Sequence, residues 1–121
     1  MKDHASGVYT NCHIHDNVVG GLYIEGSSTP SFEGCKIHDN KTALHSLLND
    51  PWFLETCKIH DNKTEGKYYS GVVALGTSKP SLIDCEIYGH LANGIWVKDQ
   101  ASGVYTNCHI HDNKENGLYI E

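Results

Sequence analysis

Residues 30–40 read PSFEGCKIHDN. The frame returns as PSLIDCEI at 80–87, and its tail, Ile-His-Asp-Asn, stands at 14–17, 37–40, 59–62 and 110–113. A degenerate copy, IYGH, occupies 87–90. Two residues before each of these isoleucines is a cysteine: Cys12, Cys35, Cys57, Cys85 and Cys108, at spacings of 23, 22, 28 and 23. A small residue follows each cysteine (Gly21, Ala43, Gly71, Gly94, Gly117) and is itself followed by Leu22, Leu44, Val72, Ile95 or Leu118. From this small residue to the next cysteine there are always 14 residues, so the variation in length falls between cysteine and small residue. The third unit carries its extra residues within Lys63–Ser70, a predicted loop holding Tyr68 and Tyr69.

A unit of this length is compatible with a leucine-rich repeat or with one coil of a β-solenoid. No helical period appears. The units hold short alternating runs, CHI, CKI, GLYI and GIWV, broken by Gly, Asn, Asp, Ser and Pro, which is a pattern of strands and turns. Strands laid coil on coil about 4.8 Å apart make a parallel solenoid. Alternation points each cysteine and the isoleucine two residues on toward the interior. Leu22, Leu44, Val72, Ile95 and Leu118 join them, with Ile24, Ala74, Val97 and Ile120 two residues later. Phe32, Leu54, Leu82 and Tyr105 form a third inward column. Asn17, Asn40, Asn62 and Asn113 are predicted at the turn, where Asn tolerates left-handed backbone and its amide can bond from coil to coil. His90 takes this place in the fourth coil and is expected to interrupt the ladder.

The pattern Pro-x-aliphatic-x-x-Cys-x-Ile-x-Asp-Asn, then Gly-aliphatic-x-aliphatic, resembles the right-handed parallel β-helix repeat of pectate-lyase-like folds and CASH-type domains. The resemblance covers essentially the whole chain. It implies an all-β fold, a right-handed single-stranded parallel β-helix of about five coils of 22–28 residues forming one domain over 1–121. It does not imply one function, because such coils serve lyases, hydrolases, epimerases and binding modules.

A longer repeat overlies the coils. Residues 2–25 and 98–121 match at 20 of 24 positions, differing only at His4/Gln100, Val18/Lys114, Val19/Glu115 and Gly20/Asn116. The other coils share only their motif positions. Either a 96-residue super-repeat or a deliberate duplication explains this, so a designed or excised block is one reading of the chain.

The 121 residues carry a net charge of −6, with nine Lys and no Arg. That disfavours nucleic acid, whose partners show a basic footprint. No apolar run approaches the roughly 20 residues of a membrane span. The five cysteines lack a CxxC pair and read as a reduced inward column, which favours a reducing, cytoplasmic compartment. His15, His38, His60 and His111 form a predicted outward column, with His13 and His109 on the same face. An open row of side chains diverges, so no metal is assigned, with His15, His38 and His60 as the candidate ligands. No cofactor is implied. Asp16, Asp39, Asp61 and Asp112 recur at a turn position, which coil geometry explains better than a unique active site, so no catalytic residue is assigned. The outward stripe Tyr23, His45, Val73, Trp96 and Tyr119 offers flat rings for sugar stacking, making Tyr23, His45, Trp96 and Tyr119 the candidate binding residues. The functional expectation is a non-enzymatic repeat scaffold for protein interaction or self-assembly, self-associating through uncapped coil ends. The alternative is a carbohydrate-binding or polysaccharide-processing fragment.

Overall fold

The computed structural model describes residues 6–18, 20–25, 29–41, 43–47, 52–62, 64, 66 and 69–121. Among them fifteen short strands follow one another in five rungs. The first rung holds β1 (Ser6–Thr10), β2 (His13–His15) and β3 (Leu22–Glu25). The second holds β4 (Thr29–Glu33), β5 (Lys36–His38) and β6 (Leu44–Leu47). The third holds β7 (Trp52–Glu55), β8 (Lys58–His60) and β9 (Val72–Leu75). The fourth holds β10 (Pro80–Ile83), β11 (Glu86–Tyr88) and β12 (Ile95–Val97), and the fifth β13 (Val104–Thr106), β14 (His109–His111) and β15 (Leu118–Ile120). The strands form three five-stranded parallel sheets, β1-β4-β7-β10-β13, β2-β5-β8-β11-β14 and β3-β6-β9-β12-β15. Five rungs climb through four turns between first and last. No helix long and apolar enough to cross a membrane occurs among the described residues.

The register matches the sequence columns. Ile14, Ile37, Ile59, Ile87 and Ile110 pair in one line, and Cys35, Cys57, Cys85, Ile37, Ile59 and Ile87 are all buried. Leu44, Val72 and Ile95 fill the second wall, while Phe32, Leu54 and Leu82 fill the third. Tyr9 and Tyr105 pack half-buried against that third column. Trp52, whose inward position the sequence reading missed, is also fully buried. Ser46 replaces an aliphatic residue in the column of Ile24, Ala74 and Val97. Its hydroxyl donates to the Val73 carbonyl at 3.2 Å, which makes its burial tolerable.

All five cysteines are free. The thiols of Cys35, Cys57, Cys85 and Cys108 reach carbonyls of the preceding rung, those of Tyr9, Phe32, Leu54 and Leu82, at 3.4–3.5 Å. The column is therefore a weak hydrogen-bonded ladder as well as an apolar filler. Burial pushes the Cys35 thiol up to about 11. The Cys85 thiol is also pushed up, first by its contact with Cys57 and then by burial.

The turns correct one expectation. The left-handed residues after β2, β5, β8 and β14 are Asp16, Asp39, Asp61 and Asp112, with φ of 52–57°, and Gly89 takes that conformation in the fourth rung. The neighbouring asparagines are not the left-handed residues. The other turn of each rung, between its first and second strands, places Asn11, Gly34, Thr56, Asp84 and Asn107 in the same region, each just before its cysteine.

Candidate functional site

The asparagine positions link rungs. Asn40 Oδ1 accepts from the backbone N–H and side-chain amide of Asn17 at 2.9 and 2.8 Å, and Asn40 Nδ2 donates to the Ile14 carbonyl at 3.2 Å. His90 does not interrupt this pattern. Its Nδ1 accepts from the Asn62 backbone N–H at 3.2 Å and its Nε2 donates to the Ile59 carbonyl at 3.1 Å, the same two bonds one atom type over. Burial holds the His90 imidazole down at about 4, against the opposing pull of the Ile59 carbonyl and Asp61. Asn113 Oδ1 then accepts from the His90 backbone N–H at 3.1 Å.

The departure lies at Asn62, whose amide donates to the Tyr69 and Ser70 carbonyls and leaves Oδ1 without a partner. A methyl group on Gly21 would sit 2.6 Å from the Asn40 amide. In the next rung Ala43 carries such a methyl, which accounts for the displaced amide of Asn62. A second rail, Asn93 to Asn116, was missed in the sequence. Asn93 Oδ1 accepts both the Asn116 backbone N–H and its amide at 3.0 and 3.1 Å.

On the outward face of β2, β5, β8, β11 and β14 a second column stands. His15, His38, His60, Tyr88 and His111 stack at centroid distances of 5.2, 4.7, 4.8 and 5.0 Å with ring planes within 10°. Each histidine is steered by the next residue: the Nδ1 atoms of His15, His38, His60 and His111 lie 2.6–2.7 Å from Asp16, Asp39, Asp61 and Asp112. The left-handed turn is what folds each aspartate back onto its histidine. The His111 imidazole is pushed up by Asp112 and then Glu86, while Glu86 is pulled down by His111. His13 is lowered by desolvation first, then by His15, His38 and Lys36.

The predicted metal candidates divide. His15 and His38 come together with His13, whereas His60 stacks between His38 and Tyr88. A second grouping, Glu86, His109 and His111, was not anticipated.

The predicted binding stripe is continuous in register, Tyr23, His45, Val73, Trp96 and Tyr119. It is not an open platform throughout. Val73 and Trp96 are 0% and 1% exposed, and Trp96 Nε1 donates to Glu121 Oε1 at 3.0 Å. A sugar could not stack on Trp96 as it stands. Tyr119 is half-buried, and the exposed ring is Tyr23, which stacks at 4.8 Å on half-buried His45 beside a groove of about 460 Å³ also lined by Lys41 and Tyr69. The Lys41 ammonium lies 5.5 Å from the Tyr69 ring centroid. Tyr69 thus brings the end of the predicted loop against the barrel, while Tyr68 lies outside the described residues.

A family model described as a right-handed beta helix region matches residues 1–121. The chain belongs to the right-handed β-helix family. No curated protein and no solved structure matches it. Membership gives this β-helix its coil architecture without selecting among the activities such coils support.

Proposed function

We propose that this β-helix is a non-enzymatic repeat scaffold that presents its outer surface for protein interaction or self-assembly. The observation that carries the reading is the use made of the recurring polar residues. Asn17, Asn40, His90, Asn93, Asn113 and Asn116 are spent on bonds between rungs, and Asp16, Asp39, Asp61 and Asp112 on steering a stacked ring column. Such roles lengthen and stiffen a stack. A second copy is the partner favoured here. Near-identity of 2–25 and 98–121 would set like side chains over like when one copy's fifth rung meets another's first. Sedimentation velocity over a concentration series tests this. Reversible growth beyond the monomer supports it, growth stopping at two selects a closed pair, and a strict monomer to high micromolar overturns self-association.

A second reading rests on the groove beside Tyr23. Stacked Tyr23 and His45, in a groove that Tyr69 and Lys41 also line, is an arrangement suited to a glycan. Polysaccharide pull-down with the parent chain and with Tyr23→Ala separates the readings, since retention lost in the variant supports the groove and no retention by the parent removes it.

A further inference from the structure

We propose that the chain carries two surface sites for a borderline divalent transition-metal ion of the zinc class, one formed by His13, His15 and His38, the other by Glu86, His109 and His111. Within each set one ligand atom from every residue lies within 4.8 Å of the others. Both follow one plan. Two histidines at i and i+2 of a strand share its outer face, and a side chain of the adjacent rung completes the set. In the first, β2 supplies His13 and His15 and β5 supplies His38. In the second, β14 supplies His109 and His111 and β11 supplies Glu86. The paired rings lie 4.3 and 4.1 Å apart between centroids, and His13 is 4.6 Å from His38.

The donor chemistry agrees with such an ion. Three imidazoles, or two with a carboxylate, are the protein ligands of open zinc sites, whose fourth position takes water. The coordinating nitrogen of each ring-column histidine is defined, and binding would tilt His15 and His38 out of their parallel stack so that their in-plane lone pairs converge. Asp16, Asp39 and Asp112 engage Nδ1 of His15, His38 and His111 at 2.6–2.7 Å, so Nε2 is the atom left to coordinate. His13 Nε2 directly faces His38 Nε2. His111 Nε2 and Glu86 Oε2 lie 2.8 Å apart, and an ion would take the place of the proton they share.

The register explains why, among the described residues, the plan is realised only toward the two ends of the stack. The column beside the ring stack reads His13, Lys36, Lys58, Glu86, His109. His38 and His60 therefore have Lys36 and Lys58 where His15 and His111 have His13 and His109. An ammonium at that place supplies no lone pair, so neither strand offers a His-x-His pair, and Lys58 instead pairs with Glu86 Oε1 at 3.9 Å. The 96-residue repeat is what copies the His-x-His pair from the first rung to the fifth.

Titration of the full chain with zinc chloride by calorimetry tests this, with cobalt(II) absorption reporting the ligand field. Two saturable equivalents are expected. His38→Phe should remove the first, because Tyr88 shows that the ring column accepts a six-membered ring without a coordinating nitrogen. Glu86→Gln should remove the second, and the double variant both. Asp39→Asn should weaken the first site by about 10–100-fold, the usual effect of losing a carboxylate behind a coordinating histidine. His60→Phe should leave two equivalents. Should His38→Phe fail to retain the parent circular dichroism, exposed His13→Gln supplies the same test. No saturable binding overturns the proposal, as does a loss equally large in His60→Phe and His38→Phe, which would mean adventitious binding along the histidine row. A single equivalent overturns whichever set's variants leave it unchanged.

Discussion

Replacing His90 by Asn should make the protein slightly less stable at neutral pH and more stable than the parent in mild acid. At pH 7.5 the neutral imidazole makes the two bonds that Asn40 makes with its amide, so Asn at 90 can restore them against Gly71, as Asn40 does against Gly21. The variant loses two buried ring atoms, a cost of about 1 kcal/mol. In acid the sign reverses. The folded imidazole titrates at about 4 and the unfolded one near 6.5, so between those values the unfolded state binds the extra proton and stability decreases as the pH is lowered. At about 1.4 kcal/mol per pKa unit the loss is about 2 kcal/mol at pH 5 and about 3 kcal/mol once both states are protonated. The contribution is complete above pH 6.5. His60 and Asp61, the neighbouring charged groups, are unchanged in the variant, so the difference between the two curves isolates position 90. Urea denaturation followed by Trp52 and Trp96 fluorescence at pH 7.5 and 5.0 measures it. Parallel curves with a constant gap would refute the assignment of His90 as a buried neutral acceptor. A loss above about 3 kcal/mol at pH 7.5 would show that Asn does not reproduce its bonds.

Ile59 is fully buried between Ile37 and Ile87, so Ile59→Ala should cost about 2–5 kcal/mol, read as a lower denaturation midpoint. Thr56 is β-branched yet held at φ 53° where the other rungs use Asn11, Gly34, Asp84 and Asn107. Thr56→Asn should therefore stabilise by about 1 kcal/mol, and a destabilised variant would show that the hydroxyl has a role of its own. With Ellman's reagent at pH 8, half-buried Cys12 and Cys108 should react first, and Cys35, Cys57 and Cys85 only on unfolding. Three or more fast thiols would mean that the column opens in the native state.

The columns were legible because a coil of nearly constant length turns sequence spacing into register. Once Cys35 stands over Cys12 by count, Ile37 stands over Ile14; the second anchor, Gly21 and Ala43, then sets Leu44 over Leu22 across the segment whose length varies, and alternation decides which side is dry. The turn residue was not legible. Asp and Asn are adjacent in every Ile-His-Asp-Asn, both tolerate left-handed backbone, and only the structure shows that Asp adopts it while Asn bonds between rungs. The equivalence of His90 with Asn was hidden for a different reason. It depends on where two ring nitrogens fall relative to Asn62 and Ile59, not on residue class. The cover over Trp96 was hidden because a two-residue alternation says which face a side chain leaves from and nothing about what lies above that face.

The site candidates illustrate the same division. A residue repeated in nearly every rung, such as the aspartate that follows each histidine of the ring column, produces a rail, and a rail by itself has no address. An address arises where a rail crosses a column that changes identity along the stack. Here the ring column is nearly constant, while the column beside it runs from His13 through Lys36 and Lys58 to Glu86 and His109. Lys36 and Lys58 offer no lone pair beside His38 and His60. The histidines and Glu86 instead place lone pairs beside the Nε2 atoms that Asp16, Asp39 and Asp112 leave free. In a β-solenoid whose rungs share one motif, the positions that vary across adjacent rungs therefore carry more functional information than the positions that repeat. The five residues of this column are where substitution should change what the surface binds without changing how the coils stack.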